Sequence, residues 1–274
     1  MAKMGIVWDR TTAFVGERLG ALAPITLATL VAPAVASSCL SVAFAIASPG
    51  TRLGVGVLAV LLSLVSFWGT LVVMALATGD ESLAAAGRAA ARRLPATLLV
   101  SLALGLAFVA LAVPLGLILV ARGYDVTAMA AGQGGSVVVD PQTSAMVALW
   151  MLVLVAVCLF AFARLVLVSA VVLRERVAFA AIRRSWALTR GHGWRIFGML
   201  LLFLLIATIA QLAAQAVFGS VFALLLGNAP GLTAALVLTT IVTACVQGAA
   251  MLLLAAFQGK LYVALTTSDS VWPA

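Results

Sequence analysis

Six long apolar segments, separated by short stretches that carry nearly all the charge, constrain this chain more than any other feature. They cover residues 21–48, 53–77, 95–120, 143–173, 196–226 and 231–265. A helix needs about 20 such residues to cross a membrane. Their Leu, Val and Ala runs lack the alternation of barrel strands, and backbone groups in hydrocarbon must bond internally. We therefore predict an all-α polytopic membrane protein with six transmembrane helices, forming a single membrane domain over residues 1–274.

The composition excludes a water-soluble protein and argues against a nucleic-acid partner. Of the 274 residues, 65% are hydrophobic and only 9% are charged, whereas about a quarter are charged in soluble domains. The formal net charge of +8 would suit nucleic acid only if the basic residues shared one folded polar face. They flank the apolar segments instead, which is typical of residues that mark the cytoplasmic side of a membrane.

The distribution of Lys and Arg predicts the orientation. The N-terminal stretch, the second and fourth connections and the tail contain most of them. The first and third connections offer only Arg52 and Arg122, and the fifth has none. Because cytoplasmic loops are enriched in Lys and Arg, we expect both termini in the cytoplasm and a multi-pass location in a bacterial inner membrane.

Three segments before the odd-numbered spans have the pattern of short amphipathic helices lying in the membrane interface. Their apolar stripes are Trp8, Thr12, Val15, Leu19 and Leu22 in the first segment, Leu83, Gly87, Ala90 and Leu94 in the second, and Phe179, Ile182 and Trp186 in the third. This layout predicts a pseudo-threefold repeat with units of about 1–77, 78–173 and 174–265 and a cytoplasmic tail, 266–274. The alternative is that short basic loops of any polytopic protein show some amphipathicity.

One motif lies between Arg164 and Gly198. It is formed by Arg164, Glu175, Ala181, Arg184, Ser185, Trp186, Leu188, Thr189, Gly191, Trp194, Arg195, Phe197 and Gly198. In these positions the chain resembles the glycerophosphoryl diester phosphodiesterase membrane-domain family, in which some members carry an additional soluble phosphodiesterase barrel. The resemblance implies the membrane bundle alone. One histidine and eight acidic residues cannot supply such a barrel, so we expect no enzymatic activity, no cofactor and no metal.

The motif and its surroundings supply the candidate binding residues. The candidates for binding lipid or another anion are Arg164, Arg176, Arg183, Arg184, Arg190 and Arg195, and the candidate interfacial anchors are Trp8, Trp186 and Trp194. Arginines near an anionic leaflet contribute about 1 kcal/mol each. The alternative is that they only mark topology. We expect Ser185 to bond its own helix backbone, because no base is placed to activate it.

Arg164 is unusual because it falls within a predicted span. It precedes Arg174 by ten residues, which on a straight helix places it about 15 Å below the cytoplasmic surface. A charge at that depth needs a partner. Its candidate partners are Gln211, Gln215 and Gln247, intramembrane amides that would otherwise join helices, or Glu175 if the helix bends. Arg164 would either bind carbonyl groups at the ends of neighbouring helices or contact a ligand in a cavity.

Two functions fit these observations. The first is a non-catalytic lipid-interacting or scaffold bundle that uses its basic interfacial helices to engage anionic headgroups. The second is a transporter or flippase for a lipid or amphipathic solute, with a central cavity near Arg164. The sequence does not specify a protein partner or a homo-oligomer.

Overall fold

The computed structural model describes residues 4–46, 49–79, 82–124, 140–175, 177–191, 193–227 and 233–270. Within these ranges the chain forms helices and no strand. The helices are α1 (Met4–Glu17), α2 (Leu19–Thr26), α3 (Ala32–Ile46), α4 (Pro49–Thr78), α5 (Leu83–Ala121), α6 (Pro141–Leu165), α7 (Val168–Glu175), α8 (Ala180–Leu188), α9 (Gly193–Leu226) and α10 (Ala234–Ser270). A π-helical segment, Leu27–Val31, connects α2 to α3.

Six helical stretches of the described chain are long and apolar enough to cross a membrane. They are Leu19–Ser41, Thr51–Thr78, Leu83–Ala121, Pro141–Glu175, Gly193–Leu226 and Ala234–Thr267. They coincide with the six apolar segments of the sequence, so the predictions of an all-α fold and of six spans are confirmed.

The buried core lies at one end of the bundle, which we call the basic end. The core contains residues from α1, the last turns of α4, the first turns of α5 and α9, the helices α7 and α8, and the second half of α10. Leu71–Ala77 of α4 is an unbroken buried run, and Leu167 and Leu261 are fully buried. Farther along the bundle, large side chains such as Leu106 and Leu152 are exposed, as expected for surfaces that face lipid.

The helix α1 packs against α10 with part of the predicted stripe. Trp8 and Val15 pack against the buried core, and Leu22 is fully buried. Thr12 and Leu19 are exposed, so the stripe is wrong at these two positions. The most deeply buried residues of α1 lie one position away from the stripe, at Val7, Thr11 and Phe14.

The second predicted surface helix is not a separate element. The helix α5 runs without interruption from Leu83 to Ala121, with Pro95 inside it. The third does form a short helix of its own, α8, but Phe179 and Trp186 of its predicted stripe are exposed. The buried residues of α8 are Ala181, Ser185 and Leu188. Because the second unit lacks a separate surface helix, the threefold repeat stays a prediction.

The helices α4 and α10 approach each other closely at Gly259. A Cβ atom added at Gly259 would lie 2.7 Å from the Cβ of Ala77 and 3.2 Å from the carbonyl oxygen of Met74. Neither neighbouring atom belongs to a flexible side chain. Small residues at such crossings allow close backbone packing inside membranes.

We predict that Gly259→Ala destabilises the protein by about 1–3 kcal/mol, because the added methyl group forces the two helices apart. Unfolding in mixed micelles titrated with SDS would measure this change. Gly105→Ala is the matched control, since a Cβ there meets nothing within 4 Å. Equal effects of the two substitutions would show that the contact at Gly259 does not limit stability.

Candidate functional site

The fourth span is interrupted close to Arg164. The helix α6 ends at Leu165, and α7 begins at Val168 after a turn whose two residues are buried. The 25 residues of α6 are about 37 Å long, which exceeds the hydrocarbon thickness of about 30 Å. Arg164 is the second-last residue of this helix, although the apolar stretch continues to Glu175. The expected depth of about 15 Å stays a prediction.

Arg164 binds the C-terminal end of α8 through a carbonyl group and two aromatic rings. Its guanidinium Nη1 donates a hydrogen bond of 3.1 Å to the carbonyl oxygen of Thr189, the residue that follows α8. The guanidinium carbon lies 5.3 Å from the ring centroids of Phe160 and Trp186. A cation is favourable at a helix C-terminus and over an aromatic face.

The expected side-chain partners of Arg164 were wrong. None of its described hydrogen bonds goes to Gln211, Gln215, Gln247 or Glu175. Its partner comes instead from α8, because the break after Leu165 brings Arg164 beside that helix.

Ser185 bonds the backbone of Arg164 rather than that of its own helix. It is fully buried, and its hydroxyl donates a hydrogen bond of 2.8 Å to the carbonyl oxygen of Arg164. That carbonyl belongs to the last turn of α6, where backbone acceptors have no partner within the helix. Together, Arg164 and Ser185 join the ends of α6 and α8 in both directions.

An apolar groove extends from this junction between α6 and α9. We call it the Arg164 groove; its volume is about 510 Å³, within the range of about 300–1,000 Å³ found for ligand pockets. Arg164, Arg195 and Trp194 line one end of it, which we call its mouth, and its walls reach Leu152 on α6. Twelve residues separate Arg164 from Leu152, about 18 Å along the helix, which is close to the depth of one leaflet.

Glycines form the turn that brings α9 back to the junction. Gly191 has a φ of 85°, a left-handed conformation that favours glycine. A Cβ atom added at Gly193 would lie 3.2 Å from the guanidinium carbon of Arg164. These two positions therefore keep the mouth of the Arg164 groove open beside the arginine.

The other candidate arginines do not line the Arg164 groove. Arg183, Arg184 and Arg190 are exposed at the basic end, and Arg176 lies outside the described residues. Trp194 is 82% exposed at the groove mouth, which suits an interfacial position. Trp186 is partly covered by Arg164 and by Phe160, whose ring centroid is 6.0 Å away.

The remaining candidates occupy other places. Trp8 packs between Phe203 and Phe257, with both ring centroids at 6.3 Å, so it joins α1 to the bundle. Gln215 is exposed and does not join helices within the described chain. Gln211 and Gln247 line a separate cavity of about 390 Å³.

Two charged residues of α7 make structural hydrogen bonds that the sequence did not predict. Arg174 donates from Nε to the Thr78 hydroxyl at 2.7 Å and from Nη2 to the Ala75 carbonyl at 3.2 Å, which binds the end of α4. Glu175 accepts hydrogen bonds from Arg184 and Tyr262, both at 3.2 Å. The adjacent Arg174 and Glu175 after a long apolar run were the only signal in the sequence, and such a pair equally marks a membrane boundary.

Comparison with known proteins adds no assignment: no family model, no curated protein and no solved structure matches this chain. The resemblance of residues 164–198 to the glycerophosphoryl diester phosphodiesterase membrane-domain family therefore stays a prediction.

We predict that Ser185→Ala destabilises the protein by about 1–3 kcal/mol, because it removes the close hydrogen bond to a carbonyl at a buried junction. The measurement is SDS-induced unfolding. Ser220→Ala is the control, since the exposed Ser220 hydroxyl bonds only the Val217 carbonyl of its own helix. A loss of stability no larger than that of the control would contradict a linking role for Ser185.

Proposed function

We propose that this chain is a non-catalytic, multi-pass protein of the bacterial inner membrane that binds the anionic headgroup of a lipid at the Arg164 groove. The observation that supports this function best is the shape of the groove. Arg164 and Arg195 line the mouth of the Arg164 groove, and its apolar part is about as long as one leaflet is deep. A lipid has the same division between a charged head and an apolar chain.

The charge balance at the groove mouth favours an anion. Among the described residues that line the groove, Arg164 and Arg195 are charged and none is acidic. The Nε atom of Arg164 is buried and has no described hydrogen-bond partner. A guanidinium offers five N–H donors, and hydrogen bonds from it to a phosphate are charge-assisted and strong. A phosphate group in the groove would accept hydrogen bonds from the guanidinium nitrogens of Arg164 other than the buried Nε.

The exposed arginines in and just after α8 extend this positive surface. Arg183 and Arg190 project from the basic end without lining the groove. Arg184 is 45% exposed and is paired with Glu175, so part of its charge is balanced. We assign these arginines to attraction toward an anionic leaflet, at about 1 kcal/mol each, and the Arg164 groove to selection of one lipid.

The positions of the motif residues support the proposal that the chain belongs to the membrane-domain family named above. Arg164, Ser185, Thr189 and Gly191 all build the junction of α6, α8 and α9. The hydroxyl of Ser185 is committed to the carbonyl of Arg164. The motif would therefore encode a structural junction with an adjacent lipid site, which is a non-catalytic role.

The transporter alternative has less support from the packing. The Arg164 groove adjoins a small cavity through Leu159 and Phe197. That small cavity, about 20 Å³, in turn adjoins the cavity of Gln211. It has room for about one water molecule, so a lipid could pass only if α6 and α9 separated there.

We predict that Arg195→Gln raises the Kd for a fluorescent phosphatidylglycerol about tenfold, because the phosphate loses a charge-assisted hydrogen bond. Titration of the purified protein in zwitterionic detergent micelles would measure it. Arg183→Gln is the matched control and should change the Kd less than about twofold. If both substitutions weakened binding equally, the arginines would act only as a diffuse positive surface.

The proposed orientation makes a separate prediction. In a background without the native cysteines, we expect Gln142→Cys to react with a membrane-impermeant maleimide added to intact cells and Arg183→Cys to react only after lysis. Both positions are exposed in the structure, so access depends on the side of the membrane. The opposite labelling pattern would place the basic end outside and remove the cytoplasmic lipid site.

A further inference from the structure

Two cavities with polar side chains in their walls adjoin each other at α10. The first, which we call the amide cavity, has a volume of about 390 Å³ and is lined by Gln211, Gln247, Thr208 and apolar residues of α6, α9 and α10. The second has a volume of about 330 Å³, and its hydroxyl groups come from Ser37, Ser63, Ser66 and Thr70. Gln247 and Met251 line both cavities.

The amide cavity lies deep within the predicted spans. Gln211 is 18 residues from the start of α9 and 15 from its end, so it is more than about 20 Å along the helix from either end. Gln247 is 13 residues after the start of α10, about 20 Å along it. At this depth lipid offers no hydrogen bonds, so an unpaired amide is unfavourable.

Gln211 carries an unmet hydrogen-bonding capacity. Its Oε1 atom is buried and has no hydrogen-bond partner among the described residues. A hydroxyl group suits a carboxamide because it can donate to the oxygen and accept from the nitrogen. Such a group would complete the polar wall of the amide cavity.

The surroundings restrict the ligand to an uncharged molecule. Within the described chain, none of the residues that line the two cavities is charged, and a charge at mid-membrane depth is costly without a partner. A helix of a second copy is about 10 Å wide, too wide to reach an oxygen that is already buried by this chain. The Gln211 side chain lines the cavity, and an alkyl chain that ends in a hydroxyl group can bond its oxygen once the amide turns toward the cavity.

We propose that the amide cavity binds the hydroxyl group of an uncharged, membrane-dissolved amphiphile, with Gln211 as the acceptor and Gln247 at the opposite wall. The apolar side chains of Phe203, Leu204 and Leu254 pack against the alkyl chain of the ligand. This site differs from the Arg164 groove in charge, so it does not depend on the function proposed above.

Photolabelling of the full-length protein in nanodiscs tests this site. The probe is a long-chain primary alcohol with a diazirine in its alkyl chain, and the matched probe is its methyl ether, which cannot donate a hydrogen bond. We expect the alcohol to label the walls of the amide cavity, around Thr208 and Met251, about three- to tenfold more than the ether does. Peptide mapping by mass spectrometry locates the label.

Gln211→Leu should lower labelling by the alcohol to the level of the ether, because the acceptor is lost. It removes an unsatisfied buried polar atom, so the variant should melt at the same or a higher temperature than the unsubstituted protein. Gln215→Leu is the matched control: it is the same substitution one turn along α9, at an exposed position, and should leave labelling unchanged.

Three results would overturn the proposal. The first is equal labelling by the alcohol and the ether, and the second is full labelling of Gln211→Leu. The third is loss of a dimer in Gln247→Leu with no change in labelling, since a second copy would then occupy the face of Gln247. Binding of phosphatidylglycerol at the Arg164 groove is measured separately, so its failure would leave this test intact.

Discussion

The basic end of the bundle depends on two hydrogen bonds that join α6 to α8. They form where α6 ends and its last carbonyl groups have no partner within the helix. A helix that ends next to other helices leaves carbonyl groups without partners, and burial makes such groups costly. Ser185 donates to the carbonyl of Arg164, while the guanidinium of Arg164 donates to the carbonyl of Thr189. Each segment therefore supplies a donor for the other. These two bonds join α6 and α8 beside the buried turn at Val166 and Leu167 and beside the mouth of the groove.

The difference between lipid and water as surroundings explains why burial is concentrated at the basic end. Inside hydrocarbon, lipid tails are as apolar as leucine, so helices gain little from burying Leu against Leu and associate through close packing. At a water-facing end, burial of apolar surface contributes about 25 cal/mol per Å². The short helices α7 and α8 supply that burial through Val171, Val172 and Leu188. The far ends of α5, α6 and α9 keep their leucines on the outside.

Hydropathy was sufficient to predict the helical class and the six spans, because lipid demands long apolar helices wherever a chain crosses it. The break after Leu165 was not predictable in the same way. The residues that surround it, Leu165 to Val168, include no proline or glycine, and the break is stabilised by Ser185, which is 20 positions away. The assumption of a straight helix led to the wrong partners for Arg164. In α1 the apolar periodicity did not predict that packing would bury Val7, Thr11 and Phe14.

The two proposed sites follow one physical rule about depth in a membrane. The cost of a charge rises toward the bilayer centre, while a neutral amide needs only a hydrogen-bonding partner there. Arg164 is the second-last residue of α6 and Arg195 lies in the first turn of α9, whereas Gln211 and Gln247 lie more than ten residues from either end of their helices. The Arg164 groove can therefore bind a charged group of a ligand at its mouth. The amide cavity between α9 and α10 can bind only an uncharged polar group. Because α6 borders both cavities, a change in its tilt at the junction would alter both sites together.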